Sequence, residues 1–175
     1  MGKVDYNIVL IGFMGVGKST VSKQLSMDLR MHEVDMDETI INREKMSIPE
    51  IFEKVGEEGF RDIESDCLKD VVSRTGFIIS CGGGTVLRDE NVEVMKKDGV
   101  VVLMTASPES VLERVKDSNN RPLLNGNMNV EYIAELMNKR KDRYEEVADI
   151  TVSTDNKSIK EIADEIVAKT EEFRK

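Results

Sequence analysis

The feature that most constrains this chain is a glycine-rich stretch close to its N-terminus, Gly12-Phe13-Met14-Gly15-Val16-Gly17-Lys18-Ser19-Thr20. An apolar run rich in β-branched residues precedes it, and apolar residues at positions 21, 25 and 29 follow it at helical spacing. Strand, glycine turn and helix in this order are typical of a phosphate-binding loop. Glycines let consecutive backbone N–H groups point at phosphate oxygens, and the new helix contributes its positive N-terminal end.

We therefore predict that this loop binds a nucleotide. The Lys18 ammonium group is expected to reach the β- and γ-phosphates, and the Ser19 hydroxyl group is expected to ligate Mg²⁺. The predicted nucleotide contacts within the loop are Gly15, Val16, Gly17, Lys18, Ser19 and Thr20.

The overall charge of the chain limits the partners that it can have. Its 175 residues include 34 acidic and 25 basic side chains, which gives a net charge of -9. Such a surface repels nucleic acid and anionic membranes at long range, so anionic substrates need a local cluster of basic residues. The length predicts a single domain over residues 1–175, and the two cysteines are too few for a disulfide framework. We expect a reduced, cytoplasmic and monomeric protein without a membrane segment.

Hydrophobic periodicity alternates between strand and helix about five times along the chain. Strands are predicted at 6–11, at 31–35, at 77–80, at 100–104 and at 149–152. Helices are predicted at 21–30, 38–43, 47–52, 57–73, 89–97, from 108 onward, at 130–147 and at 159–173, with Gly56 and Gly99 as helix stops. This alternation predicts a three-layer, doubly wound α/β fold with about five parallel strands and helices on both faces. The polar, turn-rich segment 117–127 predicts a lid.

Three groups of residues lie at predicted strand ends, where ligands bind in folds of this class. The phosphate-binding loop is the first. Asp35 and Asp37 are the second, and they could face a metal ion and an acceptor hydroxyl, as phosphoryl transfer requires. A solvated acidic turn explains this pair equally well. The third group is Gly82-Gly83-Gly84, which favours a close approach of backbone to a ligand, because a turn needs only one glycine.

Arginines are the remaining candidates. Arg61 and Glu64 lie three residues apart on a predicted helix. They form either a scaffolding pair or an arginine that a carboxylate holds in place to grip a small anion. Arg121, in the predicted lid, could close over the transferred phosphoryl group, and Arg114 could stack on a base. Taken alone, Arg114, Arg121 and Arg140 are more simply explained as solvated charges.

Together these motifs resemble those of the shikimate kinase family over nearly the whole chain. The shared pattern comprises Gly-x-x-Gly-x-Gly-Lys-Ser at 12–19, Asp35-x-Asp37, Ile48-Pro49-Glu50-Ile51-Phe52, Gly56-Glu57, Phe60-Arg61-x-x-Glu64, the three glycines 82–84, Arg114, Arg121-Pro122-Leu123-Leu124 and Arg140-x-x-x-Tyr144. Many kinases share the phosphate loop, whereas the order and spacing of the other motifs are far more specific. The resemblance implies a fold like that of P-loop nucleoside-monophosphate kinases. It also implies ATP-dependent phosphorylation of the 3-hydroxyl of shikimate, on the pathway to chorismate and the aromatic amino acids.

The resemblance also implies a role for each matching residue. Lys18 and Ser19 would serve the phosphates and Mg²⁺, with Asp35 helping to hold the metal, and residues of about 37–64 would form the shikimate-binding helical region. The implied substrate-binding residues are Asp37, which also orients or deprotonates the hydroxyl, Arg61, Gly83, Arg140 and Glu64, which positions Arg61. The other implied contacts are Arg114 on adenine, the catalytic lid residue Arg121, and the pocket residues Ile48, Phe52, Glu57 and Phe60.

Two alternatives and two departures accompany this resemblance. One departure is that residues 154–158, in the expected adenine-binding loop, lack the proline that some members of the family have there. Another small-metabolite kinase, such as a gluconate kinase, would share the phosphate loop but not the pairing of Phe60-Arg61-x-x-Glu64 with three glycines. A guanine-specific switch would need Asn-Lys-x-Asp, which neither residues 138–141 nor residues 156–159 match. Within Arg140-Lys141-Asp142-Arg143-Tyr144, Asp142 and Arg143 stand where the family often has Pro-Leu.

Overall fold

The computed structural model describes residues 4–116 and 129–175. Its strands are β1 (Asn7–Ile11), β2 (His32–Asp35), β3 (Phe77–Ser80), β4 (Gly99–Thr105) and β5 (Ile150–Ser153). They form one parallel sheet in the order β2-β3-β1-β4-β5. The helices are α1 (Lys18–Leu29), α2 (Met36–Glu44), α3 (Ile48–Val72), α4 (Asp89–Lys97), α5 (Pro108–Val115), α6 (Val130–Val147) and α7 (Ile159–Arg174), and a short 3-10 turn spans Thr85–Leu87. The predicted lid at 117–127 lies outside the described residues.

The burial of β1 explains why the sheet carries helices on both faces. All five residues of this central strand are buried. Because consecutive side chains of a strand point to opposite faces, such a strand requires cover on both sides. Helices α1 and α7 pack together, as do α3 with α4 and α5 with α6. The predicted α/β architecture with five parallel strands is confirmed.

Side-chain caps define where several helices begin. The Ser47 side chain accepts a hydrogen bond from the backbone N–H of Glu50 at the start of α3, and Ser158 forms a capping box with Glu161 at the start of α7. Ser107 caps α5, and Pro108 occupies its first turn.

The two predicted glycine stops have different outcomes. Gly56 has non-helical backbone angles, with a φ of 73°, and α3 consists of two helical pieces that meet at this kink, so the interruption predicted at Gly56 is confirmed. Gly99 does not end a helix but begins β4, after α4 has ended at Lys97.

Two helices begin earlier than predicted, and both shifts change the setting of site residues. Helix α1 starts at Lys18, directly after Gly17, which has a φ of 99°. Helix α2 starts at Met36, because the Asp35 side chain caps it by accepting from the backbone N–H of Glu38. Asp37 therefore lies in the first turn of a helix. Within residues 4–116 and 129–175, no helix is long and apolar enough to cross a membrane.

Candidate active site

The phosphate-binding loop connects β1 to α1 and depends on its glycines. Gly15 and Gly17 have φ angles of 81° and 99°, a region that favours glycine. A Cβ atom on Gly12 would lie 2.4 Å from the carbonyl oxygen of Met104, so β4 passes too close for any side chain there. These constraints hold the loop in a tight curve before the first turn of α1. The positive end of this helix therefore faces the space enclosed by the loop.

Lys18 is held inside this loop. Its ammonium group donates to the carbonyl oxygens of Gly12 at 2.7 Å and Phe13 at 2.9 Å, and the residue is buried. The Val16 side chain is also buried, so only its backbone can meet a nucleotide. The loop therefore presents backbone groups and one cation, a combination suited to phosphate.

The predicted metal ligands lie next to each other. The Ser19 hydroxyl donates to Oδ2 of Asp35 at 2.6 Å, across the gap between α1 and the end of β2. Hydroxyl and carboxylate oxygens are ligands that Mg²⁺ accepts. In the described part of the chain, no group of three or more His, Cys, Asp or Glu side chains could hold a metal ion. Two protein oxygens fit Mg²⁺ nonetheless, since this ion usually retains waters and binds substrate phosphates.

The three glycines after β3 provide space for side chains predicted to bind substrate. A Cβ atom on Gly84 would lie 2.2 Å from Nη2 of Arg61, and one on Gly82 would lie 3.1 Å from Oε2 of Glu64 and 3.2 Å from Oδ1 of Asp37. None of the three glycines has a positive φ, so they are needed for space rather than for backbone conformation. The sequence predicted a close approach to a ligand, whereas at Gly84 the nearest group is a guanidinium of the chain itself.

Two side chains of α6, those of Arg140 and Tyr144, contact Gly83. A Cβ atom there would lie 3.2 Å from Nη1 of Arg140 and 3.6 Å from the hydroxyl of Tyr144. The Tyr144 hydroxyl donates to the carbonyl oxygen of Gly83. Burial raises the pKa of Tyr144, so its hydroxyl remains a donor at neutral pH.

Arg61 and Glu64 form a buried ion pair on α3. Nη1 of Arg61 donates to Oε1 of Glu64 at 3.0 Å, and Arg61 is 7% exposed while Glu64 is fully buried. Glu57 lies 3.5 Å from Nη2 of Arg61, and the guanidinium lies 5.2 Å from the centre of the Phe60 ring. Burial raises the pKa of Glu64, and the charge of Arg61 opposes that shift. Both partners are removed from water, so they do not form an exposed surface ion pair.

One polar atom of this pair has no partner within the described residues. Nε of Arg61 is buried and makes no hydrogen bond there. A buried donor without a partner is costly, so an anionic ligand that accepts a hydrogen bond from it would remove that cost. The predicted pocket residues Phe52 and Phe60 pack beside it with ring centres 4.8 Å apart, on either side of the Gly56 kink.

A cavity of about 330 Å³ lies between the phosphate-binding loop, the two aspartates and the glycines that follow β3. Its lining includes the loop residues Gly15, Gly17, Lys18, Ser19 and Thr20, the two aspartates Asp35 and Asp37, Gly82, Gly83 and Arg114. Arg61, Glu64 and Arg140 do not line this cavity. They pack against Gly84, Gly82 and Gly83 respectively, and we call these three glycines the glycine wall. Nη1 of Arg114 donates to the carbonyl oxygen of Gly15 at 3.0 Å, which places this cation over the nucleotide loop. The predicted lid residue Arg121 lies outside the described residues.

Two residues at the site were missed by the sequence analysis as functional candidates. Thr85 is fully buried, and its hydroxyl donates to Oε2 of Glu64 at 3.0 Å. Arg143 donates from Nε to the carbonyl oxygen of Val86 at 2.7 Å and from Nη2 to Oδ1 of Asp89 at 2.6 Å. The only sequence signals were the position of Thr85 after three glycines and the departure from family pattern at Arg143.

Comparison with known proteins identifies the family. A family model described as shikimate kinase matches residues 14–171. The chain belongs to the shikimate kinase family. A shikimate kinase of Thermodesulfovibrio yellowstonii is 44% identical over 165 residues, covering 94% of this chain and 95% of the relative. The resemblance inferred from the sequence motifs is therefore confirmed.

Solved structures agree with this family. A shikimate kinase from Acinetobacter baumannii in complex with shikimate has a TM-score of 0.92 at 34% identity, covering 97% of this chain and 95% of that one. A gluconokinase from Sinorhizobium meliloti has a TM-score of 0.60 at 14% identity, covering 95% and 92%. The likeness to the gluconokinase shows a shared fold and carries no argument about function.

Proposed function

We infer that this chain transfers the γ-phosphoryl group of ATP to the 3-hydroxyl of shikimate, giving shikimate 3-phosphate and ADP. One observation carries this conclusion beyond family membership. The buried Arg61 guanidinium packs on Gly84, while the adjoining glycines border a cavity that contains Asp37 and the phosphate-binding loop. The phosphate site and the acceptor-side carboxylate therefore share one crevice, and the cation that we propose binds the substrate carboxylate packs against the glycines beside it.

The nucleotide side of the proposed reaction uses the loop and its neighbours. Backbone N–H groups of residues 15–20 and the Lys18 ammonium bind the phosphates, and Arg114 packs on adenine. Ser19 and Asp35 would hold Mg²⁺, which supplies charge neutralisation on the phosphates when bound. We propose that Arg121 covers the transferred group from the lid.

The acceptor side uses residues that pack against the glycine wall. We propose that Arg61 and Arg140 bind the shikimate carboxylate, with Gly83 contacting the substrate and Glu64 orienting Arg61. Asp37 orients the 3-hydroxyl and accepts its proton as the oxygen attacks the γ-phosphorus, and the bond from that phosphorus to the bridging oxygen of ADP breaks. The protein has a net charge of -9, so anionic substrates need a local source of attraction. We propose that this attraction comes from a cluster of basic residues, Lys18, Arg61, Arg114, Arg121 and Arg140.

We also propose that the enzyme works in the cytoplasm as a monomer, on the pathway to chorismate and aromatic amino acids. Cys67 and Cys81 are buried free thiols, which fits a reducing compartment. The strong net negative charge disfavours self-association.

The deciding experiment measures ADP release from Mg-ATP with shikimate, with gluconate and with no acceptor. A Lys18→Ala preparation, purified in the same way, controls for contaminating kinases. We expect release to be stimulated by shikimate alone and to be lost in the variant. ADP release that gluconate stimulates and shikimate does not would contradict the assignment, as would bound ATP that neither acceptor consumes.

A further inference from the structure

We propose that Thr85 is a positioning residue for the acceptor site, whose hydroxyl orients the Glu64 carboxylate and thereby holds the Arg61 guanidinium in its substrate-binding orientation. The proposal rests on the proposed function, since it concerns how the shikimate carboxylate is gripped. Thr85 acts through Glu64 and does not itself touch the substrate.

Each oxygen of the Glu64 carboxylate accepts one hydrogen bond. Its Oε1 accepts from Nη1 of Arg61 at 3.0 Å, and its Oε2 accepts from the Thr85 hydroxyl at 3.0 Å. With one donor on each oxygen, the carboxylate is fixed against rotation about its terminal bond. The side chain of Glu64 is fully buried, so water does not readily replace either donor.

The backbone of Thr85 is held on both sides by hydrogen bonds. Its backbone N–H donates to the carbonyl oxygen of Gly82 at 3.2 Å, and its carbonyl oxygen accepts from Nδ2 of Asn91 at 2.9 Å. Asn91 is itself 1% exposed and belongs to α4. Thr85 is thereby tied to the glycine segment on one side and to α4 on the other, so its hydroxyl has little freedom to move away from Glu64.

Removing the Thr85 hydroxyl would disturb Glu64 and, through it, Arg61. The buried Oε2 of Glu64 would lose its donor, and Gly82 leaves little room beside it, since a Cβ atom on that glycine would lie 3.1 Å from this oxygen. The Thr85 hydrogen bond lowers the pKa of Glu64 against the stronger effect of burial, so its loss also disfavours the charged partner of Arg61. Arg61 would then lose its fixed orientation above Gly84.

The test compares variants that separate the hydroxyl from the shape of the side chain. Thr85→Val keeps the shape and removes the hydroxyl, whereas Thr85→Ser keeps the hydroxyl. We expect Thr85→Val to raise the KM for shikimate about ten-fold, the effect of losing one buried hydrogen bond to a charged group. The KM for ATP and kcat should change less than about two-fold, and Thr85→Ser should restore shikimate KM to within about two-fold of the wild type. Thr151→Val, at an exposed threonine on the edge strand β5, is the matched control.

Each outcome decides a different question. An unchanged shikimate KM in Thr85→Val, or an equal increase in the valine and serine variants, would overturn the role of Thr85. If the valine variant does not fold, Thr85→Ala is compared with Thr85→Ser, and equal KM values for that pair overturn the role as well. A wild-type enzyme without shikimate-dependent ADP release overturns the proposed function and this inference with it, whereas an active wild type isolates the test to Thr85.

Discussion

At the scale of single residues, the site is shaped by where side chains are missing. The Arg61 guanidinium occupies the space that a side chain at position 84 would fill, since a Cβ there would lie 2.2 Å from Nη2 and 2.4 Å from Cζ. The same guanidinium is bound to the buried Glu64. A substitution at Gly84 therefore displaces a charged group from a buried partner, which costs more than moving a free surface side chain.

We expect Gly84→Ala to raise the KM for shikimate by at least about ten-fold, because overpacking and a displaced ion pair act together. Arg61→Ala should weaken shikimate binding by a comparable factor through loss of a charge-assisted contact. Steady-state kinetics of the two single variants and the double variant measure the coupling. If Gly84→Ala acts by displacing Arg61, it should add little in the Arg61→Ala background. Fully additive effects would contradict this mechanism.

Asp37 lies in the first turn of α2 and faces the cavity beside the glycine wall. We expect Asp37→Asn to lower kcat by about 10²–10⁴-fold, the usual contribution of a positioned general base, while ATP affinity stays nearly unchanged. Single-turnover kinetics and ATP titration measure the two quantities separately. Glu38→Gln, at the exposed neighbouring position, is the control. Near-normal turnover in Asp37→Asn would remove this carboxylate from the chemistry.

At the scale of elements, α6 is held in place by Arg143, a residue at which the sequence departs from the usual family pattern. Arg143 binds the carbonyl oxygen of Val86 in the 3-10 turn and Asp89 at the start of α4. Its side chain is 21% exposed, so these bonds are partly protected from water. Arg140 and Tyr144 lie on the same helix and are close to Gly83. The Arg143 contacts therefore help to fix the position of both residues relative to the glycine wall.

We expect Arg143→Met to raise the KM for shikimate about three- to ten-fold, since it removes two charge-assisted hydrogen bonds that hold α6 in place. The KM for ATP should change less, because the phosphate-binding loop lies on β1 and α1. Lys139→Met is a matched control, as Lys139 is on the same helix and its ion pair with Glu135 is exposed. Equal effects of the two substitutions on shikimate KM would show that Arg143 does not position the helix.

At the scale of the whole molecule, one ion pair links α7 to α1, and two more lie along α7 and its N-terminal end. Lys160 of α7 bonds Asp28 of α1 at 2.9 Å, and Glu165 of α7 pairs with Lys157 and Lys169. The hydrogen bond from Lys160 lowers the pKa of Asp28, and those from Lys157 and then Lys169 lower the pKa of Glu165. An acid whose folded-state pKa is lowered stabilises the fold above its unfolded pKa, and this contribution is lost as pH falls through the folded pKa.

We therefore expect the melting temperature to fall as pH drops below the ordinary values of 3.8 for Asp28 and 4.5 for Glu165. Glu64 acts in the opposite sense, because burial raises its pKa and its contribution declines as pH rises. Thermal melts between neutral and acidic pH check the trend. Asp28→Asn combined with Glu165→Gln should slightly reduce both the stability at neutral pH and its loss on acidification, because partly exposed ion pairs contribute little. A variant whose melting curve keeps the wild-type pH dependence would exclude these pairs as its source.

Patterns that depend on neighbours in the chain were predictable from the sequence. The phosphate-binding loop, the five strands and most helix starts follow from periodicity, glycine positions and caps, which act over a few residues. For this reason, α6 was predicted at the bounds that it has, Val130–Val147. The family followed from the same motifs, because their order and spacing along the chain are properties of sequence alone. The early starts of α1 and α2 were missed, since they depend on the backbone of Gly17 and the cap of Asp35.

The contacts that orient the acceptor site were decided by tertiary structure alone. Thr85 meets Glu64 across 21 positions and Arg143 meets Val86 across 57, and neither pairing leaves a local pattern. The sequence marked Gly84 as special, but only the packing of α3 against the glycine segment shows that its missing side chain makes room for Arg61. Hydrogen bonds between buried groups depend on distances set by the packing of whole elements, and no spacing along the chain encodes those distances.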